Sequence, residues 1–400
     1  MQRRNMKYCV LIIDGAAGLP MPEQGHKTSL EIAATPNLDA MAAEGSLGLV
    51  RTVPRGLEPG SAVACMSVLG YDPVVYYKGR ASIEAGSMDL AIGKGEAVFR
   101  CNLVTVTDSR MQDYSAGHIS SDESTKIIET LNETLGSNLI KFYPGVSYRH
   151  ILKLQGHADA LGAVCTPPHD IPGKTVAEYL PKGPGSDILR DLMTRSEAVL
   201  KDHPVNIARK ARGESPATTI WLFWGSGQVP PMPAFKKVYG LKAAMTSGVD
   251  LLKGLAKMSG MTLLDIKGIT DGPDNDNAAQ AAGALEALKK HDLVVIHIEA
   301  PDEAGHEGDV KGKVGAIQKI DAEVVSRLRS WRGEDLRVLV MPDHPTPVSV
   351  RTHTPDPVPF LLWGKGIKAN GAGRFTEAEA GKTGVFVEEG YKIMGQLVGK

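Results

Sequence analysis

The stretch VMPDHPTPVSVRTH, residues 340–353, ends an apolar run on a carboxylate and two imidazoles. Asp343 and His344 follow Val338-Leu339-Val340-Met341, and His353 comes nine residues after His344. In APDEAGHEGD, behind the apolar run LVVIHI, Asp302 and His306 stand four residues apart, so one turn of chain can offer both to a single ion. A third apolar run, YCVLII, ends at Asp14. Asp302, His306 and His353 make one set of oxygen and nitrogen donors; Asp14, Asp343 and His344 make another. Mixed carboxylate and imidazole sets suit borderline divalent metals such as Zn2+ or Mn2+. A pair of such ions about 4 Å apart is a standard device for displacement at phosphorus. Ser61, in LEPGSAVACMSVLGYDP, offers the nucleophile: Pro59-Gly60 precede it and the apolar residues after it read as a helix. A serine at a helix N-terminus sits where backbone N–H groups favour anions, and a hydroxyl held against a cation can ionise near neutral pH and accept a phosphoryl group.

Each residue has a plainer use when taken singly. Asp after a strand is commonly a turn former, Ser61 alone would serve as a helix N-cap, and His26, His118, His157 and His291 read as surface or core residues. GSGQVPP at 225–231 lacks the Lys and Ser/Thr of a phosphate-cradling loop and reads as a turn. The conjunction carries the argument: three strand ends each bear Asp, and two of them have His at workable spacing.

These side chains need elements that deliver them to one edge. KYCVLIIDG reads as a strand, and TPNLDAMAAEG as a helix with Thr35 at its N-cap and Pro36 at its first position. TTIWLFWGSG, HDLVVIHIEAPDEAG and LRVLVMPDH repeat the design, apolar on both faces as strands covered by helices must be. Helical stretches such as NAAQAAGALEALKKH alternate with them. The fold class expected is therefore α/β, a mostly parallel sheet with helices on both faces. Ligands in such sheets gather at the carboxyl ends of the strands, where Asp14, Asp302 and Asp343 lie. The middle differs: from Leu103 to Leu180 shorter strands surround a helix, which predicts an inserted α+β domain over 103–180 on a core of 1–102 and 181–400.

The 400 residues are 42% hydrophobic, enough for a large core. Lys and Arg number 45 against 46 Asp and Glu, so no charge field draws the chain to nucleic acid or an anionic membrane. Cys9, Cys65, Cys101 and Cys165 are scattered in apolar stretches, as small core residues in a reducing compartment would be. No signal peptide or membrane span is visible, which predicts a cytoplasmic protein.

LIIDG, TPNLDAMAAEG, PGSAVACMSVLGYDP, YKGR, APDEAGHEGDVKGKV, MPDH and HTPDPVPFLLWG together resemble the cofactor-independent phosphoglycerate mutases of the archaeal type, in the alkaline phosphatase superfamily. The likeness runs from about residue 7 to 395. It implies an alkaline-phosphatase-like core with an inserted lid, two divalent ions (Mn2+, Zn2+ or Mg2+) and no 2,3-bisphosphoglycerate. It also implies that Ser61 is phosphorylated and dephosphorylated as 3-phosphoglycerate becomes 2-phosphoglycerate in glycolysis. One metal would be bound by Asp302, His306 and His353, the other by Asp14, Ser61, Asp343 and His344. The insertion and its margins offer Arg80, Arg100, Asn102, Arg149, His150, His169 and Asp170 for a small phosphorylated substrate, with Lys242 and Lys253 weaker. Arginines suit bidentate grip of carboxylate and phosphate, and His169 or Asp170 are candidates for general acid and base. A homo-oligomer is compatible with this reading.

Rival readings remain. KDHPVNIARKARGESPATTIWLFWGSGQVPPMP resembles a bacterial branch of the family for which a homoserine kinase role in threonine biosynthesis has been proposed. A metal-dependent phosphomonoesterase would share the core, and a non-catalytic binding protein would tolerate lost ligands. A sulfatase would need a C/S-x-P-x-R arrangement, which GSAVACM does not provide.

Overall fold

The computed structural model describes residues 6–400. They fall into two compact units: one comprises the chain up to Tyr77 together with Pro231–Lys400, the other Lys78–Pro230.

The first unit is built on eight strands. In chain order these are β1 (Lys7–Ile13) and β2 (Ser46–Val50); in the second unit come β3 (Glu96–Thr107), β4 (Arg110–Asp113), β5 (Ile140–Tyr143), β6 (Arg149–Gln155) and β7 (Thr219–Ser226). The chain then returns to the first with β8 (Ala243–Thr246), β9 (Thr262–Leu263), β10 (Leu293–Ile298), β11 (Leu336–Met341), β12 (Val358–Gly364) and β13 (Phe386–Val387). The first sheet has the order β13-β2-β12-β11-β1-β10-β8-β9, and only β12 runs against the rest. All seven residues of β1 are buried. Cys9, Leu11 and Ile13 pack with Leu38, Met41, Ala281, Leu288 and Ile317 from helices on one face. The alternate residues Val10 and Ile12 are equally buried on the other. A strand covered on both sides has no polar face to show, which is why the sequence reads as continuous apolar runs. The expected α/β class is the observed one. No described helix is long and apolar enough to cross a membrane.

Local signals were partly misleading. The helix Pro36–Glu44 forms with Thr35 at its N-cap position, yet the Thr35 side chain accepts no capping hydrogen bond there. Asp321, from another helix, accepts from Leu38 N at 2.7 Å and Asn37 N at 3.2 Å instead.

The second unit is contiguous and carries an antiparallel sheet in the order β4-β3-β6-β5, with β7 paired to the other side of β3. One face packs on the helices Ser121–Leu135 and Ser186–Lys201 through Phe99, Cys101, Leu103, Ile127, Leu131, Leu152 and Leu189. The opposite face meets the helix Arg80–Ser87 through Ala81, Ala85, Val98 and Ile151. Its extent, Lys78–Pro230, corrects the expected 103–180, because a boundary at 102/103 would cut β3 in its middle. TTIWLFWGSG, expected among the parallel strands, is β7 of this sheet. Its apolar run reflects cover on both faces, which does not reveal strand direction.

Candidate functional site

Three neighbouring strands, β10, β1 and β11, lie parallel, so their carboxyl ends share an edge. Asp14 follows β1 directly, its N–H still donating to Ile298 O at 3.0 Å. Gly15 then turns at φ +60°, and a Cβ there would come 2.7 Å from Asp302 Cα. Only glycine permits that approach. Gly15 N and His344 N both donate to Asp343 Oδ1, at 3.2 and 2.8 Å, so backbone amides fix the second carboxylate. Asp302 lies in the first turn of the helix Ala300–Glu307, and Thr346 Oγ1 donates to its Oδ1.

The donors converge as two touching groups. His306 Nε2 lies 3.2 Å from Asp302 Oδ2 and 3.0 Å from His353 Nε2, and His353 Nε2 is 3.6 Å from Asp302 Oδ1. His344 Nε2 lies 3.1 Å from Ser61 Oγ, 3.2 Å from Asp343 Oδ2 and 3.6 Å from Asp14 Oδ1. The rings of His344 and His353 are 4.1 Å apart, which joins the groups. His344 belongs to both: its donor atom clusters with Asp302 and His353 and also with Asp14 and Asp343. Ser61 begins the helix Ser61–Val68 with Gly60 at the N-cap position, so its hydroxyl is free of capping duty.

Tautomers follow from the partners. The Arg351 carbonyl, 3.1 Å from His306 Nδ1, can only accept, so Nδ1 carries hydrogen and Nε2 turns a lone pair to the cluster. Thr346 spends its proton on Asp302, so it accepts from His344 Nδ1 at 3.3 Å and leaves His344 Nε2 a donor to a cation. The donor set therefore fits divalent cations. Asp14 Oδ1, wholly buried, has no hydrogen-bond partner among the described residues, as a carboxylate oxygen awaiting a cation would lack one.

The electrostatics agree. Burial, then the charges of Asp343 and Asp302, push the Asp14 carboxyl well above the usual range. Burial would also raise Asp302, but hydrogen bonds from His306 and His353 hold it well below. The Asp302 bond raises His306 to about 9 against the pull of burial. A proton there sits where a cation would. Burial lowers His344, opposed by Asp343.

Sequence reasoning missed several contributors. His297 Nε2 lies 2.7 Å from Asp14 Oδ2, and Glu299 is half-buried beside it, its carboxyl raised by desolvation and by the Asp14 charge. Lys313 is fully buried and donates to Ala17 O at 3.0 Å and Thr346 O at 2.6 Å, tying together the loops after β1 and β11. Burial lowers its pKa to about 8. Lys313 was in plain sight within DVKGKV, but a lysine next to a glycine and two residues from another lysine reads as solvated.

Of the tentative substrate residues, the second unit groups four on one face of its sheet. Asn102 pairs with Arg149 across β3 and β6, and Arg100 Nε donates to Asn102 Oδ1 at 3.1 Å. Arg100 and Arg80 share Glu84, at 2.6 and 3.1 Å, and the Arg80 guanidinium lies 4.6 Å over the Trp224 ring. His169 packs on Trp224 at 5.4 Å and Asp170 is exposed beside it. His150 does not join them. It pairs with Cys101, so alternation turns it to the helix-covered face, where it is buried with Nδ1 accepting from Gly145 N at 3.0 Å. Lys242 is not brought to the cluster either: it precedes β8, at the amino-terminal edge, while Asp14, Asp302 and Asp343 follow strands at the other. Lys253 pairs with Asp250 at 3.1 Å.

A family model described as 2,3-bisphosphoglycerate-independent phosphoglycerate mutase matches residues 42–206. A protein of that name from Methanothrix thermoacetophila is 48% identical over 98% of this chain and 100% of its own length. One from Methanosarcina barkeri is 46% identical over 98% and 99%. A solved structure from Pyrococcus horikoshii superposes with a TM-score of 0.81 at 28% identity, covering 100% of this chain and 98% of its own. The chain belongs to the 2,3-bisphosphoglycerate-independent phosphoglycerate mutase family.

Proposed function

We propose that this chain interconverts 3-phosphoglycerate and 2-phosphoglycerate without 2,3-bisphosphoglycerate, by way of a phosphoserine at Ser61. The observation that carries the reading is Ser61 Oγ at the junction of the two donor groups, 3.1 Å from His344 Nε2, in a chain of this family. Two divalent cations, one on Asp302, His306 and His353 and one on Asp14, Ser61, Asp343 and His344, would polarise the phosphoryl oxygens and lower the serine's pKa. Three imidazoles among the donors favour Mn2+ or Zn2+ over Mg2+.

Ser61 Oγ gives up its proton and attacks phosphorus. The Oγ–P bond forms as phosphorus parts from the C3 oxygen, which takes up a proton. The glycerate is reoriented, and its C2 hydroxyl loses a proton and attacks the phosphoserine. The new O–P bond forms as Oγ–P breaks, and Ser61 regains its proton. Water must be excluded while the phosphoserine exists, or the result is hydrolysis. In this reading the second unit serves as the lid, Arg80, Arg100, Arg149 and Asn102 hold the anionic substrate, and His169 or Asp170 handles the hydroxyl protons.

One metal-loaded preparation tests this in two arms: 3-phosphoglycerate coupled to enolase without 2,3-bisphosphoglycerate, and homoserine with ATP. Turnover in the first arm is expected. Turnover only in the second, or release of free phosphate from many esters, refutes the mutase reading.

A further inference from the structure

His297 is the one polar residue in β10, LVVIHI, and is 1% exposed. A histidine at such a position must satisfy both ring nitrogens within the protein, and this one does so across three strands. The order β8-β10-β1 sets it between Ser247, just past β8, and Asp14, just past β1. His297 Nδ1 lies 3.0 Å from Ser247 Oγ, and Nε2 lies 2.7 Å from Asp14 Oδ2. Val249 N donates to Ser247 Oγ at 3.0 Å.

The direction of the chain is fixed from its carboxylate end. The Asp14 carboxylate can only accept, so Nε2 carries the hydrogen and donates to Oδ2. In the neutral ring Nδ1 then accepts the hydrogen of Ser247 Oγ, which in turn accepts from the Val249 amide. Glu299 Oε2, 3.6 Å from the same nitrogen, is too far to compete. The β10 backbone is held in turn: Gln280 Nε2 donates to His297 O at 3.0 Å, and Asn275 Nδ2 donates to Gln280 Oε1 at 2.8 Å.

Asp14 differs here from the other two strand-end carboxylates. Backbone amides hold Asp343 and the Thr346 hydroxyl holds Asp302. Of the three, Asp14 is the one held by an imidazole that lies outside both proposed ligand sets, and that imidazole takes Oδ2 and leaves the unpartnered Oδ1 turned toward His344. We infer that His297, oriented by Ser247, is a positioning residue that holds Asp14 Oδ2 so that Oδ1 is presented to the cation beside Ser61. The inference rests on the proposal that Asp14 ligates a cation.

The test is Mn2+ binding to the full chain stripped of metal, followed by calorimetry and by metal content after gel filtration, with no assay of turnover. Wild type is expected to hold two ions. Asp14→Asn checks the underlying reading: two ions held at wild-type affinity there would sink the ligand assignment itself. With that assignment standing, His297→Leu should weaken one of the two ions about 10–100-fold, and His297→Gln, whose amide can donate to the same carboxylate, should recover most of the loss. Wild-type affinity in His297→Leu overturns the inference, and so does a Gln variant as weak as Leu. Should His297→Leu fail to fold, Ser247→Ala carries the test. It keeps the ring but frees its tautomer, and must weaken the same ion; unchanged binding overturns the inference.

Discussion

His150 separates two accounts of one residue, as a substrate contact or as a core histidine, and pH tells them apart. Burial first, and the Arg100 charge second, lower its pKa from 6.5 to about 3. The native ring therefore stays neutral down to about pH 3, whereas the unfolded chain takes up a proton below about 6.5. Between those values the unfolded state binds more protons, so acid weakens the fold by up to about 1.4 kcal/mol per pH unit. From pH 7 to pH 5 the loss from this one side chain comes to about 2 kcal/mol. His150→Asn removes the titration yet keeps an acceptor, Oδ1, where Nδ1 meets Gly145 N. The measurement is amide exchange of Ile151, Leu152 and Leu154 in β6, corrected for intrinsic rates, in both proteins at both pH values. The stability gap between wild type and variant should close by about 2 kcal/mol on going to pH 5. The KM for 3-phosphoglycerate should stay within about twofold of wild type, less than 0.5 kcal/mol. A gap that does not change with pH, or a tenfold rise in KM, refutes the placement of His150 in the core.

Three further outcomes are expected. Ser61→Ala should lower mutase turnover by about 10^4 or more, with thermal stability within about 1 kcal/mol of wild type; substantial residual activity would mean that another group takes the phosphoryl. Asp302→Asn should leave one Mn2+ per chain where the parent holds two, read by elemental analysis, and an unchanged count contradicts its assignment. Lys313→Met strands the carbonyls of Ala17 and Thr346 and should destabilise the first unit by about 2–4 kcal/mol in a thermal melt; a neutral effect would show that both carbonyls find other donors.

The cluster itself was legible because polar residues at the ends of apolar runs have few structural reasons to be there. Asp302 and His306 were readable as a pair from helical spacing alone. What escaped was whatever depends on register or strand order. His297 reads as a core residue until β8, β10 and β1 are known to be neighbours, for only then do Ser247 and Asp14 flank it. His150 and Arg149 are adjacent in sequence, and only the pairing with Cys101 and Asn102 assigns them to opposite faces. Lys242 was misjudged for a related reason: composition does not say at which end of a strand a residue falls. TTIWLFWGSG shows the same limit at the scale of a unit, since burial on both faces is common to parallel and antiparallel sheets. Thr35 lost its capping role to Asp321, almost 290 residues away, a partner that local pattern could never supply.

The discontinuity of the first unit has a consequence for how the chain is made. β1 pairs with β10 and β11, whose residues are translated some 280–330 positions later. At about 5–20 residues per second, roughly 15–60 seconds pass between emergence of the Lys7–Ile13 strand and arrival of its neighbours. Lys78–Pro230, being contiguous, can fold meanwhile on the ribosome. The N-terminal strand, buried on both faces in the finished fold and with both backbone edges unpaired until then, must wait in a form that other nascent chains could capture. Chains that terminate before Leu336 lack β11 and β12, so release of truncated products from the ribosome is where this protein is most exposed to aggregation.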